Sequence, residues 1–147
     1  MGLRRKGREL AIQTMYSISF YETGDDLKDL ELINEYKEKL EEMIEHDKVD
    51  HDSAICEFAE QLLDGTIKHL PEIDAEIKRN SINWSFEKIA LMDRSVLRVA
   101  VYELMFSKTA HPIIMDEAIE ISKKFCAENS KKFINGLLNA VSKEVNE

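Results

Sequence analysis

The chain has 147 residues, of which 44% are hydrophobic and 33% charged, with only 2 Pro and 5 Gly. This length fits one domain, and the scarcity of helix breakers and aromatics favours an all-helical fold. The net charge of −9 at pH 7 argues at first sight against a protein that binds nucleic acid. However, residues 22–60 hold fifteen acidic and four basic side chains, a balance of −11, whereas residues 1–8 hold four basic and no acidic ones. An acidic body with a basic tip predicts an asymmetric partner.

The cysteines and the N-terminus indicate where the protein works. Cys56 and Cys126 are far apart and form no CxxC motif, so we expect free thiols in a reducing compartment. No apolar segment of a signal peptide follows the charged N-terminus. Arg98 and Glu103 interrupt the best candidate for a membrane span. We therefore expect a cytoplasmic protein without membrane contact.

The first helix is predicted from about Leu3 to Tyr21, with Ala11, Met15 and Ile18 in its core stripe. A second stripe at spacings of three and four carries basic, amide and aromatic groups together. Its members are Arg5, Glu9, Gln13, Tyr16 and Phe20. This stripe fits a contact surface, and equally a solvated face whose two aromatics pack against neighbouring helices.

A break at residues 23–25 separates this helix from a second one, which has a highly charged outer face. Its predicted buried residues are Leu30, Ile33, Lys37, Leu40 and Ile44. The loop of residues 46–52 contains two His and three Asp. Their spacing matches no known ligand motif, so we predict a flexible polar loop rather than a metal site.

Two further helices follow. Ser53 is a plausible N-cap for the third helix. The short fourth helix is predicted over 71–79 because proline suits a first helical position, and Ile73 and Ile77 are its buried residues. Trp84 is expected to anchor the following loop to the core.

The predicted helix over 89–106 is apolar around most of its circumference, so it must lie among several other helices. Glu103 falls on its buried side, where a carboxylate needs a partner, and an arginine is the expected one. Arg98 and Glu103 are therefore predicted to belong to structural ion pairs. Asp93 and Arg94 are predicted to lie at an exposed start of this helix, where they could contact a partner.

A sixth helix is predicted from an Asp116 N-cap to Phe125, and a seventh from a Ser130 cap through Val141. Helices joined by short loops predict an all-α fold of two small packed bundles. We place the N-terminal bundle at about 3–69 and the C-terminal bundle at about 71–145.

No catalytic motif is present: the chain has no glycine-rich phosphate loop, no GxSxG and no HExxH. We therefore predict a protein that is not an enzyme, with no cofactor and no metal site.

Two predicted helices begin with basic residues, although the helix dipole favours acidic ones there. Each such mismatch costs about 0.3–1 kcal/mol, which is tolerable if an anion binds at the helix start. The mismatched residues are Arg4, Arg5, Lys6 and Arg8 in the first helix, and Lys131 and Lys132 in the seventh. Tyr16 and Phe133 could stack bases beside these charges. The alternative is that the basic residues are only solubilising.

Several blocks of the chain together resemble the NusB family of transcription antitermination factors. They are residues 4–16 (RRKGRELAIQTMY), 93–104 (DRSVLRVAVYEL), 116–120 (DEAIE), 123–125 (KKF) and 130–138 (SKKFINGLL), with Trp84 between them. Their order and spacing match the family over nearly the whole chain, whereas residues 22–52 contribute little.

The resemblance implies a seven-helix NusB-like fold and a factor that binds boxA, a single-stranded RNA in nascent ribosomal transcripts. It implies the ribosomal protein NusE as partner, and other Nus factors and RNA polymerase as the larger assembly. A homodimer in the free state stays open. The RNA contacts it implies are Arg4, Arg5, Lys6, Arg8, Gln13, Tyr16, Asn129, Lys132 and Phe133, to which the helix-start mismatch adds Lys131.

The chain departs from the family pattern at two positions. Cys126 stands where the family often has a glycine that ends the sixth helix, so this turn must close differently. Asn129 stands where many members have an acidic residue. The absence of a carboxylate there should favour RNA binding, and the amide could alter base preference. A competing function is a helical adaptor that holds NusE or another protein, with RNA binding incidental, because the acidic second and third helices suit a basic partner.

Overall fold

The computed structural model describes residues 2–19, 35–51, 53–82 and 85–145. The regular structure of these residues is entirely helical, as predicted, and none of these helices is long and apolar enough to cross a membrane. The elements are α1 (Leu3–Ser19), α2 (Tyr36–His46), α3 (Ala54–Lys68), α4 (Leu70–Asn80), a 3-10 helix (Phe86–Lys88), α5 (Leu91–Phe106), α6 (His111–Phe125) and α7 (Ser130–Val145). The predicted break at 23–25 and the calls on Phe20, Leu30, Ile33 and Trp84 lie outside the described residues.

Helix α5 is the centre of the fold, as its apolar circumference predicts. It packs against α1, α3, α4, α6 and α7, and every residue from Asp93 to Val101 is buried. On one side α1 packs against α2 and α3, and on the other α6 and α7 pack against each other. The chain thus forms two small helical groups that share α5 as a common support.

The predicted helix starts were right in one place and wrong in another. Ser53 caps α3, since its hydroxyl accepts a hydrogen bond from the Cys56 amide at 3.3 Å. Helix α6 begins at His111 instead of Asp116, and Pro112 occupies its first turn. Proline there needs no amide partner and has a helical φ, so it starts a helix well. The prediction that this helix begins at an Asp116 N-cap was wrong for this reason.

Among the residues that the structure describes, the predicted core of the first two helices is confirmed except at one residue. Ala11 and Met15 are fully buried, and Leu40 and Ile44 are each 3% exposed. Lys37 was predicted to be buried but is exposed. An ammonium group without a buried carboxylate stays in water, which outweighs the helical spacing that placed it with Leu40.

Two buried ion pairs connect α5 to its neighbours. Arg98, which is fully buried, donates to both carboxylate oxygens of Asp74 in α4 at 2.8 and 2.9 Å, and to the Ser19 hydroxyl in α1 at 3.2 Å. Glu103 accepts two hydrogen bonds from Arg8 of α1 at 2.7 and 2.9 Å. The predicted structural roles of Arg98 and Glu103 are therefore confirmed, and each pair fixes one helix against α5.

A glycine allows α1 to approach α3 closely. A Cβ atom on Gly7 would lie 2.8 Å from a ring carbon of Phe58 and 3.2 Å from the Ile55 carbonyl oxygen. Any side chain at this position would push the two helices apart. The start of α1, with its basic residues, is thereby held against the first turns of α3.

Candidate nucleic-acid interface

The start of α1 has no acidic residue in its first turn, so positive charge adjoins the positive end of the helix dipole. Arg4 is exposed, and its guanidinium carbon lies 4.7 Å from the centre of the Phe58 ring. This cation–π contact orients the side chain and leaves its charge at the surface. Within the described ranges Arg4 makes no ion pair, so it can contact a phosphate.

Arg5 forms a two-point ion pair with Glu117 of α6. Its Nε and Nη2 atoms donate to the two carboxylate oxygens at 2.7 and 3.0 Å. The two side chains remain 28% and 20% exposed. The hydrogen bond from Arg5 holds the pKa of Glu117 below its ordinary value, and the pKa of Arg5 is raised by the same contact. Both groups are charged at neutral pH.

Lys6 pairs with a carboxylate from the segment that follows α2. Its ammonium lies 2.6 Å from Asp47 Oδ2 and 3.9 Å from Glu9 Oε1. Burial alone would raise the pKa of Asp47, but hydrogen bonds from Lys6 and His46 lower it below its ordinary value. About a third of the Lys6 side chain is exposed, so it adjoins the surface with part of its charge already neutralised.

Arg8 does not lie at the surface with the other basic residues. It is 4% exposed and bound to Glu103 inside the protein. Its predicted contact with RNA therefore has no geometric support, and Arg8 instead anchors α1 to α5. The sequence analysis grouped Arg8 with the other basic residues. The signal that it missed is that Arg8 lies on the same side of α1 as the core residues Ala11 and Met15, at spacings of three and seven.

The start of α7 is the second basic helix end, and it too has no acidic residue in its first turn. Lys132 is exposed and Lys131 half-buried, and in the part of the chain that the structure describes neither forms an ion pair. Both lysines line a shallow depression of about 690 Å³ together with Arg5. The two mismatched helix starts thus open onto one surface, which α6 crosses with Asp116, Ile119 and Glu120.

Phe133 and Asn129 face a different depression, of about 250 Å³, which the segment around the 3-10 helix closes on its other side. Asn129 is exposed and Phe133 half-buried. Gln13 and Tyr16 are half-buried on the face of α1 that also carries Arg5. The candidate residues therefore form three groups. Arg5, Lys131 and Lys132 line the larger depression, called the cationic depression below. Asn129 and Phe133 line the smaller one, and Gln13 and Tyr16 form a half-buried stripe along α1.

Asp93 and Arg94 are buried, at 8% and 3% exposure, so the prediction of an exposed start for α5 was wrong. The preceding segment packs on Arg94, which donates to the carbonyl oxygens of Phe86 and Ile89 at 2.9 and 3.1 Å. Asp93 accepts a hydrogen bond from the Ser130 hydroxyl at 2.7 Å, so Ser130 connects α7 to α5. Contact of this pair with a partner stays a prediction.

Helix α6 ends without the glycine that the family often has. Cys126 follows its last turn in an extended conformation, with φ −106° and ψ 165°, and its amide donates to the Ser122 carbonyl at 2.9 Å. No left-handed residue is needed, so cysteine is tolerated there. Burial, together with a hydrogen bond to Asp93, raises the pKa of the Cys126 thiol to about 12. The thiol is therefore a structural group at neutral pH.

Lys124 is a further cation beside the face of α1 that carries Arg5 and Glu9, and the sequence prediction omitted it. It lies in the last turn of α6, its side chain is 59% exposed, and its ammonium is 3.1 Å from Glu9 Oε1. The pair shows that α6 runs beside the stripe of α1 that carries Arg5 and Glu9. The signal was present in the sequence, because Lys124 belongs to one of the blocks that resemble the family.

Helix α2 and the segment after it bring together three groups that could bind a metal ion. Ligand atoms of Glu41, Glu45 and His51 lie within 4.8 Å of one another, and all three residues are exposed. His51 already pairs with Glu41 at 3.0 Å. An exposed cluster of this kind needs no ion, so the prediction of a polar loop is retained.

Comparison with known proteins identifies relatives of nearly the same length. A sequence model of the NusB family matches residues 5–143. The transcription antitermination protein NusB of Elusimicrobium minutum is 43% identical, covering 98% of this chain and 96% of the relative. That of Geobacter sulfurreducens is 40% identical, covering 97% and 95%.

Solved structures agree with the sequence relatives. NusB of T. maritima superposes with a TM-score of 0.79 at 33% identity, covering 96% of this chain and 91% of that one. A chain from the crystal structure of antitermination factors NusB and NusE in complex with double-stranded RNA superposes with a TM-score of 0.81 at 26% identity, covering 98% of both. From these matches, the chain belongs to the NusB family.

Proposed function

We propose that this protein is a transcription antitermination factor that binds boxA single-stranded RNA in nascent ribosomal transcripts. It does so together with NusE, as part of the Nus complex on RNA polymerase. The observation that carries the proposal is the family match over residues 5–143. A solved relative bound to NusE and RNA adds support.

The electrostatics of the cationic depression support RNA as the ligand. Arg5, Lys131 and Lys132 line one surface where two helices begin, and exposed Arg4 extends it. Amide groups at helix starts and nearby cations bind phosphates together. Residues 22–60 carry a balance of −11, so the excess of acidic charge comes from that segment and the rest of the chain has no net negative charge.

Bases would be read by the residues that adjoin these charges. Single-stranded RNA is recognised through stacking on aromatic side chains and through polar contacts with base edges. Half-buried Tyr16 and Phe133 supply rings, and Gln13 and Asn129 supply amides. In this proposal the protein is not an enzyme and acts in the cytoplasm, where nascent transcripts and NusE are found together.

The test is a titration of labelled boxA RNA at increasing salt, with and without NusE, against a scrambled strand and a boxA duplex. Four or five phosphate contacts, from Arg4, Lys6, Lys131 and Lys132 without or with Arg5, predict a slope of log affinity against log salt of roughly −3 to −4. Lys132→Gln should weaken binding, whereas Lys143→Gln at the far end of α7 should not. A flat salt response, or equal binding of boxA and scrambled RNA in the presence of NusE, contradicts the proposal.

The exposed acidic face of α2 favours the adaptor as a second candidate function. Glu38, Glu41, Glu42 and Glu45 are exposed along this helix, which suits a basic protein partner. In that case NusE binds with full affinity to a variant carrying Arg4→Gln, Lys131→Gln and Lys132→Gln, and RNA adds nothing to the complex. Cooperative binding of NusE and boxA RNA that this variant loses favours the antitermination factor.

A further inference from the structure

Helix α6 places a row of carboxylates between the two basic helix starts. Asp116 and Glu120 line the cationic depression, and Glu117 adjoins them and binds Arg5. On the far side of this row lie Lys131 and Lys132 of α7. RNA that contacts both helix starts must therefore pass over negative charge.

The Arg5–Glu117 pair already has the geometry that a phosphate would use. A guanidinium binds a phosphate best through two parallel N–H groups, and Glu117 occupies the Nε and Nη2 pair in that way. Phosphate and carboxylate both carry negative charge, so they cannot share this edge of Arg5 without repulsion. Lys131 and Lys132 have no such carboxylate bound within the described residues.

We propose that Glu117 competes with RNA phosphate for the guanidinium of Arg5, and that it thereby limits the affinity of the protein for RNA in general. This inference rests on the proposed function. Sequence-independent phosphate contacts supply most non-specific binding. When Glu117 occupies the Arg5 guanidinium, the protein loses one of these sequence-independent phosphate contacts. Binding of RNA then depends more on contacts with bases, so Glu117 favours boxA over other RNA.

The exposure of the pair distinguishes it from a structural ion pair. Arg8 and Glu103 are almost fully buried, and separating them would strand two charges inside the protein. Arg5 and Glu117 are 28% and 20% exposed, so water can solvate the carboxylate after a phosphate replaces it. Exchange of one anion for another is therefore feasible here without unfolding.

The test is Glu117→Gln, which keeps the shape of the side chain and removes its charge. Affinity for boxA and for scrambled RNA should both rise by about threefold to tenfold, the size of one like-charge repulsion near the surface. The rise should be larger for scrambled RNA than for boxA, and the salt dependence should steepen by about 0.7 for one additional phosphate contact. Glu144→Gln, the same charge change near the end of α7, is the matched control and should leave both affinities unchanged.

A second variant separates competition for Arg5 from a general charge effect. In an Arg5→Gln background, Glu117→Gln should no longer raise affinity, because the contested guanidinium is absent. A lower or unchanged affinity in Glu117→Gln, or the same rise in both backgrounds, overturns the inference. Absence of RNA binding by the unmodified protein instead overturns the proposed function, so the two failures are distinguishable.

Discussion

Arg8 of α1 and Glu103 of α5 form an ion pair inside the protein, joined by hydrogen bonds of 2.7 and 2.9 Å. Their side chains are 4% and 2% exposed. A residue in a basic N-terminal run thus anchors the run to the central helix. The cations before it in the sequence, Arg4 and Arg5, are held at the surface because Arg8 holds the helix in place.

Removing one partner of this pair should be far more harmful than removing both. Arg8→Met leaves the Glu103 carboxylate buried without its counter-charge, which should cost about 3–5 kcal/mol in the free energy of unfolding. The double variant Arg8→Met with Glu103→Leu replaces the pair by apolar groups and should recover most of this loss. Unfolding in urea measures both, and a double variant no more stable than the single one contradicts a paired role.

The same double variant tests whether Arg8 touches RNA. Because Arg8 is buried, the folded double variant should bind boxA RNA within about twofold of the unmodified protein, with the same salt slope. Arg4→Gln is the comparison, since its exposed guanidinium should contribute to that slope. A slope that becomes shallower in the double variant would restore Arg8 as a phosphate contact.

What the sequence predicted and what it missed have a common physical origin. Periodicity identified α5 as the centre because apolar residues around a whole helix must be buried. It also placed Glu103 on the buried side, and since a buried carboxylate needs a partner, it predicted an arginine there. It did not predict which arginine, because a run of four basic residues looks uniform until the helix phase separates Arg8 from Arg4. The prediction for Asp93 and Arg94 was wrong for a similar reason. A helix start is normally exposed, but the 3-10 helix packs on Arg94 and Ser130 of α7 binds Asp93, and neither contact has a periodic signal in the sequence.

Acid should weaken the link between α1 and α6. The pKa of Glu117 is lowered in the folded protein by the hydrogen bond from Arg5, so this carboxylate stabilises the fold above its ordinary pKa of about 4.3. That contribution is lost as the pH falls through the lowered pKa of the folded state. Thermal unfolding between neutral pH and pH 3 should therefore show a smaller loss of stability in Glu117→Gln than in the unmodified protein. Equal losses would show that the pair contributes nothing.

Two helical glycines should respond in opposite ways to alanine. A Cβ atom on Gly65 in α3 would collide with the ring of Tyr102 in α5, whereas one on Gly136 in α7 meets nothing within 4 Å. Gly65→Ala should destabilise the protein by about 1–3 kcal/mol, because the collision outweighs the gain in helix propensity. Gly136→Ala should stabilise it by up to about 1 kcal/mol. Chemical unfolding of both variants checks the pair, and a stabilised Gly65→Ala would place Tyr102 elsewhere.

The reactivity of Cys126 should report on Asp93. Burial, then the hydrogen bond and charge of Asp93, raise the pKa of this thiol to about 12, so very little thiolate exists near pH 8. Alkylation of native protein by iodoacetamide should therefore be much slower at Cys126 than in the unfolded chain. Asp93→Asn removes the negative charge but keeps the shape, so it should speed the reaction while burial still slows it.

Peptide mapping by mass spectrometry separates Cys126 from Cys56, which is buried and serves as an internal reference for global unfolding. Ser130→Ala supplies the matched comparison, because it removes the hydroxyl that donates to Asp93 at 2.7 Å but leaves the carboxylate charge. It should cost about 1–3 kcal/mol of stability through the unsatisfied buried acceptor without lowering the thiol pKa. If Asp93→Asn and Ser130→Ala accelerate Cys126 equally, loosening of the α5–α7 contact, and not the Asp93 charge, controls the thiol.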